Sequence, residues 1–169
     1  TNETMLFRNG SGTGTNFSTL RELAAPLSNG GSSSGPVSFV KGFDTWAGIT
    51  KSAGKTRRAA KMVILNVDHP YIEDFIKSKV TVEKMARDLI KMGWPADYNS
   101  ETYSFLPYQN ANHSVRVTDD FMRAVEQDKN FDLINFKKVK VKELSAKNLF
   151  RTIAEAAHLC ADPGIQFDT

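Results

Sequence analysis

At 169 residues, 40% hydrophobic and 10% aromatic, the chain has the length and composition of one folded domain with a core, not of a disordered segment. Its 22 basic and 19 acidic residues leave a net charge of +3 and a pI near 9.0, too small a surplus to coat nucleic acid or a membrane surface. The single cysteine, Cys160, excludes an internal disulfide framework and a cysteine-built zinc site, and no apolar run approaches the roughly 18–20 residues that span a bilayer.

In chain order, "TNETMLF" reads as the last turn of a helix, and "GSGTGTNFSTL" (10–20) as a strand entered through a bare, glycine-rich segment. "PLSNGGSSSGP" (26–36) is a loop by composition. Val37, Val40, Phe43 and Ala47 then fall at helical spacing, with Ser34 or Gly35 as cap and Pro36 in the first turn. Residues 51–60 form a loop, and "KMVILNV" (61–67) is a continuous apolar run of the kind a buried parallel strand needs. Asp68 is expected to cap the next helix, which has Pro70 in its first turn and Ile72, Phe75 and Ile76 inside. A second helix is expected from Val82 to Met92, stopping at Gly93.

Residues 94–111 read as irregular and aromatic, and "HSVRV" (113–117) as a strand opened by His113. Thr118 caps "DDFMRAVEQD", and "KKVKVKEL" (137–144) alternates like an exposed β-ribbon. Ser145 caps a last helix with Leu149, Ile153, Ala157 and Cys160 on its inner face, and the strand "GIQFD" follows. His69 marks a helix start and His158 a surface position. Strands alternating with helices define an α/β class with parallel strands and no internal repeat. A start and a stop inside elements suggest a piece of a longer chain.

"SAGKTRRAAKM" (52–62) has the ending of a phosphate-binding loop, Gly54-Lys55-Thr56. That motif needs a glycine five residues before Gly54, a strand leading in and a helix leading out. Here Gly48 stands one residue too far, a helix leads in and a strand leads out, so a nucleotide-hydrolase loop is excluded. Lys51, Lys55, Arg57, Arg58 and Lys61 still place five cations in eleven residues, among small neighbours that leave the backbone approachable. A charge run is usually a solvated loop. Arginines flanked by glycine and alanine also suit close approach to phosphate or to a base face. Gly12 and Gly14 let a ligand meet backbone, and the Ser/Gly loop at 28–35 supplies more bare amides. Together the three loops suit a nucleotide-sized ligand.

"ETMLFRNGSGTGTNFS", "GGSSSGPVSF", "TRRAAKMVILNVDHPYIEDFI", "NHSVRVTDDFMRAVE" and "ADPGIQFDT" resemble, in this order and spacing, the large catalytic subunit of ribonucleotide reductases. The "TRRAAKM" form and the "ADPG" turn bring the likeness closest to the adenosylcobalamin-dependent class, over all of residues 1–169. The resemblance implies that the chain is most of the first half of a ten-stranded α/β barrel built from two five-stranded halves. It implies a loop 1 near 17–36 that meets an allosteric dNTP or ATP effector, and a loop 2 near 50–60 between effector and substrate. By that match Gly12 lies beside the ribonucleotide substrate, Arg57 reaches it with Arg58 as the neighbouring candidate, and Arg21 and Lys55 hold effector. A second effector arginine of the iron-dependent class falls near Ser28 or Asn29 and is absent or replaced.

The family's radical and reducing cysteines have no match in this chain. Cys160 reads as a small core residue, and neither catalytic nor metal-binding residues are assigned. The implied partners are substrate, effector, a thioredoxin-type reductant and, for the parent enzyme, a second copy. No nucleic acid or membrane partner is expected, and the expected address is cytoplasmic. The alternative is a stand-alone nucleotide-binding or regulatory module without catalysis.

Overall fold

The computed structural model describes residues 2–50 and 60–168. Elements follow in the order α1 (Asn2–Arg8), β1 (Gly12–Asn16), α2 (Gly35–Ile49), β2 (Ala60–Asn66), α3 (Ile72–Lys91), α4 (Glu101–Ser104), β3 (Ala111–Thr118), α5 (Asp119–Glu126), β4 (Asn130–Ile134), β5 (Lys140–Ser145), α6 (Ala146–Cys160) and β6 (Gly164–Asp168). Four strands form one parallel sheet in the order β1-β2-β3-β6, and β4 and β5 pair antiparallel as a separate ribbon.

That order never reverses. Each crossover adds a strand on the same side of the last, so crossovers of one hand stack their helices on one face of the sheet. The core lies between that face and the helices. Val63, Leu65 and Val67 from the β2 segment and Val115 and Val117 from β3 meet Phe75, Ile76 and Val82 of α3 and Leu149, Ile153 and Ala156 of α6. Burial in β2 alternates strictly, with Lys61, Val63 and Leu65 inside, because successive strand residues point to opposite faces.

Several expectations from the sequence are revised. Residues 72–91 are one helix, not two, since Ile72, Phe75, Ile76, Val82 and Ala86 make a continuous buried stripe. Asp68 does not cap that helix, which starts from Tyr71 without a side-chain cap; the Asp68 carbonyl accepts instead from Ile134 N at 2.8 Å. The first strand is shorter than 10–20, ending at Asn16. The stretch 94–111 contains α4 and already enters β3 at Ala111, which puts His113 inside the strand. On α6 it is Ala156 that is buried, while Ala157 and Cys160 are half-buried. Strand β4 is an addition that its own sequence did not announce.

The expected caps at Thr118 and Ser145 are present: their hydroxyls accept from Phe121 N and Asn148 N, both at 3.3 Å. Ser34 occupies the cap position of α2 without a side-chain bond, with Pro36 in the first turn as expected.

Two buried charges fasten the elements around the sheet. Asp44 of α2 accepts from Tyr108 N and Asn110 N, both at 2.7 Å, tying the helix to the segment that enters β3. Fully buried Lys61 pairs with Glu3 of α1 and donates to Thr15 Oγ1 at 2.7 Å, with the Phe43 ring 5.0 Å away. A lysine inside an apolar layer is tolerable only with such partners.

Candidate functional site

Register decides what the sheet presents on the side away from its helices. Thr13, Lys61 and Ala111 stand in line on the helix side, as do Thr15, Val63 and His113. The intervening residues therefore share the other face: Gly12, Gly14 and Asn16 on β1; Met62, Ile64 and Asn66 on β2; Asn112, Ser114, Arg116 and Thr118 on β3; Gly164, Gln166 and Asp168 on β6. Parallel sheets are normally covered on both faces by apolar side chains. This one keeps apolar packing on one face and turns amides, hydroxyls, an ion pair and three glycines to the other.

The polar groups on that face are ordered. Asn16 Nδ2 donates to Asn66 Oδ1 at 2.9 Å, and Asn16 Oδ1 accepts from Ser18 N at 2.9 Å and Ser18 Oγ at 2.6 Å. Ser18 Oγ in turn accepts from Asn66 N at 2.7 Å. Arg116 pairs with Asp168 across β3 and β6. Gly12 lies at the start of β1 opposite Ala60, and a Cβ there would stand 3.0 Å from the Ala60 carbonyl oxygen. A side chain at position 12 would push on the adjoining strand as well as on a ligand.

Gly12 and the entry to β2 lie at one end of the sheet. Lys55, Arg57 and Arg58 lie outside the described residues. The opposite end of β1, Asn16, is about 13 Å along the strand from Gly12 at ~3.3 Å per residue, and Arg21 follows in the loop beyond it. Arg21 is half-buried. Its Nη1 donates to Pro26 O at 2.9 Å, and its guanidinium stands 4.4 Å over the Phe136 ring. The substrate and effector candidates that are described are thus separated by the length of the sheet.

Two of the three histidines, His69 and His113, hold the scaffold. His69 Nε2 donates to Leu20 O at 2.9 Å, because its Nδ1 accepts from Tyr71 N at 3.0 Å. Burial lowers its pKa, with the Leu20 carbonyl, Glu22 and Asp68 opposing. Ser78 Oγ donates to Phe75 O at 2.7 Å, so towards His113 it accepts from Nδ1–H at 3.2 Å. His113 Nε2 is then a bare lone pair, buried without a partner between the stacked Phe75 ring and the edge of Tyr108. Burial, with Lys79 nearby, pushes the His113 pKa down to about 3.

Cys160 Sγ donates to Ala156 O at 3.3 Å and Asp162 O at 3.4 Å, and burial raises its pKa, so it rests as a thiol. Among the described residues no cluster of three or more His, Cys, Asp or Glu is placed to hold a metal, and no helix is long and apolar enough to cross a membrane.

Asn16, Asn66, Arg116 and Asp168 were not singled out from the sequence. The signal was present in the alternation of "NHSVRVT", whose polar residues 112, 114, 116 and 118 fall on one face, but which face stays open is decided by strand order.

A parallel sheet wound in one direction, with helices on one face and a polar, glycine-floored face on the other, defines an α/β domain. The comparisons agree with that class. A family model described as ribonucleotide reductase, barrel domain, matches residues 1–169. A vitamin B12-dependent ribonucleotide reductase of Streptomyces avermitilis is 53% identical over 98% of this chain and 17% of its own length. One from Rhodopirellula baltica is 48% identical over 99% of this chain and 16% of its own. A vitamin B12-dependent ribonucleoside-diphosphate reductase of Mycobacterium tuberculosis H37Rv is 40% identical over 96% of this chain and 20% of its own. The chain belongs to the ribonucleotide reductase barrel domain family, and it spans about a sixth to a fifth of the length of these relatives.

Proposed function

We propose that the polypeptide containing this chain is an adenosylcobalamin-dependent ribonucleotide reductase. The observation that carries this reading is the 53% identity, along nearly the whole chain, to a relative named for vitamin B12-dependent ribonucleotide reduction. In that reaction the ribose 2′ C–O bond is replaced by C–H, water leaves, and a dithiol is oxidised to a disulfide. The open sheet continues into a ten-stranded barrel whose interior holds substrate, and this segment positions substrate and relays specificity. The name of the M. tuberculosis relative supports a diphosphate substrate.

On this reading Gly12 leaves backbone clear beside substrate, and Arg57 and Arg58 reach it from loop 2. Arg21 and Lys55 hold a dNTP or ATP effector. Adenosylcobalamin supplies the initiating radical when bound. Of the three histidines, both His69 nitrogens are engaged and His113 is sealed in the core, while His158 is exposed in the last turn of α6. No cobalt ligand is assigned among them, and the cofactor is proposed for the whole polypeptide. A thioredoxin-type reductant, a cytoplasmic address and a homodimer belong to the same reading; exposed Phe39, Trp46 and Ile49 on α2 offer a surface for a second copy.

The test is deoxyribonucleotide formation by the whole polypeptide with a dithiol, with and without adenosylcobalamin. Cobalamin-dependent product is expected. Nucleotide binding without any turnover would leave the non-catalytic module instead. Within an active enzyme, Arg57→Ala should weaken the effector dependence of substrate choice by about ten- to a hundredfold, the scale of one charge-assisted contact. Unchanged effector ratios in both Arg57→Ala and Arg58→Ala would reduce the loop to a solvated basic turn.

A further inference from the structure

We propose that the tip of the β4–β5 hairpin completes an anion site with Arg21, Phe136 orienting the guanidinium and Lys137 supplying a second cation, for the phosphate tail of a nucleotide. This rests on the reading of Arg21 as an effector residue and extends it to an element more than a hundred residues away.

Three segments converge beyond the C-terminal ends of β1 and β2. The loop after β1 is held by His69 through the Leu20 carbonyl, and the turn after β2 receives the hairpin through Ile134 N and the Asp68 carbonyl. The hairpin tip is built to one geometry. Asn135 Oδ1 accepts from Lys137 N at 3.0 Å and Val139 N at 3.1 Å, while Asn135 N donates to Val139 O at 2.9 Å. That turn sets Phe136 under Arg21, at 4.4 Å from Cζ to the ring centroid, and leaves Lys137 Nζ 5.7 Å from the same centroid. A guanidinium on a ring face and tied to the Pro26 carbonyl has lost much of its rotational freedom and keeps donors free for an incoming oxyanion.

Charge separates this pair from the two lysines of β5, while Lys138 at the tip has no ion-pair partner among the described residues either. Lys140 pairs with Asp132 and Glu143, and Lys142 pairs with Glu73. Among the described residues neither Arg21 nor Lys137 has an ion-pair partner. Glu22, beside Arg21 in the chain, does not pair with it and acts electrostatically on His69. Two cations that contact one ring and have no ion-pair partner among the described residues can be bridged by an anion. A polyphosphate is large enough to do so.

The test is titration calorimetry on the whole polypeptide, with dATP, dGTP and dTTP in turn and with inorganic tripolyphosphate as the tail alone. Lys137→Gln and Phe136→Leu should each weaken nucleotide binding about three- to tenfold, while Lys137→Arg and Phe136→Tyr, which keep the charge and the ring, should bind like the parent. Tripolyphosphate should lose affinity in the same two variants. If Arg21→Ala leaves affinity unchanged, the effector reading of Arg21 fails. If Arg21→Ala weakens binding but Lys137→Gln and Phe136→Leu do not, that reading stands and the hairpin's part in it is overturned. Phe136→Tyr weakening as much as Phe136→Leu would also overturn it.

Discussion

His113 is the residue whose surroundings make the sharpest demand. Its neutral ring is locked between Phe75 and Tyr108 with one nitrogen unpartnered, and its pKa in the folded chain is about 3 against an ordinary 6.5. The unfolded chain takes up a proton below about pH 6.5 that the folded chain refuses until about pH 3. The stability this neutral histidine contributes is therefore complete above about pH 6.5 and is lost as pH falls towards 3. At pH 5 the loss should be roughly 2 kcal/mol, seen as a fall in Tm from pH 7 to pH 5 that His113→Phe largely abolishes. A His113→Phe chain with the same pH slope would assign the loss to other groups. Asp44 gives a second single-residue expectation. Asp44→Ala strands two backbone N–H groups at Tyr108 and Asn110, so it should cost about 3 kcal/mol in urea unfolding. Asp44→Asn, which keeps an acceptor, should cost less, and equal costs would show that water replaces the carboxylate.

At the scale of elements, helix starts that look alike in sequence differ in what holds them. Ser145 and Thr118 accept a bond from the third residue onward, and Ser34, in the same position relative to α2, does not. Ser145→Ala and Thr118→Ala should each lower stability by about 1 kcal/mol, and Ser34→Ala by less than ~0.5 kcal/mol. Chemical denaturation of the three variants checks this ordering; an equal cost at Ser34 would mean that its hydroxyl does cap in solution. The alternative fastening of α2 is visible in Asp44, in the buried Val40 and Ala47, and in Gly48, where a Cβ would stand 2.7 Å from Asn110 Nδ2. α2 is positioned by its side, not by its end.

For the molecule as a whole, among the described residues the sheet has two unpaired edges, β1 and β6, and one face without helices. Phe167 on the β6 edge is exposed, as are Phe39, Trp46 and Ile49 on α2. Open parallel edges template pairing with other chains, and the uncovered face lacks the second layer that parallel sheets normally have. The isolated 169-residue chain should therefore self-associate, its weight-average mass in sedimentation equilibrium rising above 18.8 kDa with concentration. A constant monomer mass would show that the chain closes these surfaces on its own.

What the sequence determined by itself is local or strongly periodic. The apolar run of β2, the alternation of β3, the caps at Thr118 and Ser145 and the lysine-rich ribbon are legible because propensity, burial and capping act within a few residues of each other. The order and spacing of the long motifs also sufficed to place the chain in its family, since each long motif constrains many positions at once. Tertiary structure decided the rest. The stretch "KVTV" weakens helix locally, yet α3 runs through it because Ile76, Val82 and Ala86 pack on the core as one stripe. β4 exists because β5 pairs with it, and Leu133 alone of its residues is fully buried. Asp68 was read as a cap because Asp before an apolar run commonly is one, but its carbonyl is where the ribbon docks. The polar face holding Gly12, Asn66, Arg116 and Asp168, and the meeting of Arg21 with Phe136, join residues far apart in the chain. Only strand order and register bring such residues together, because a side chain's partners across a sheet are set by pairing and not by its neighbours in sequence.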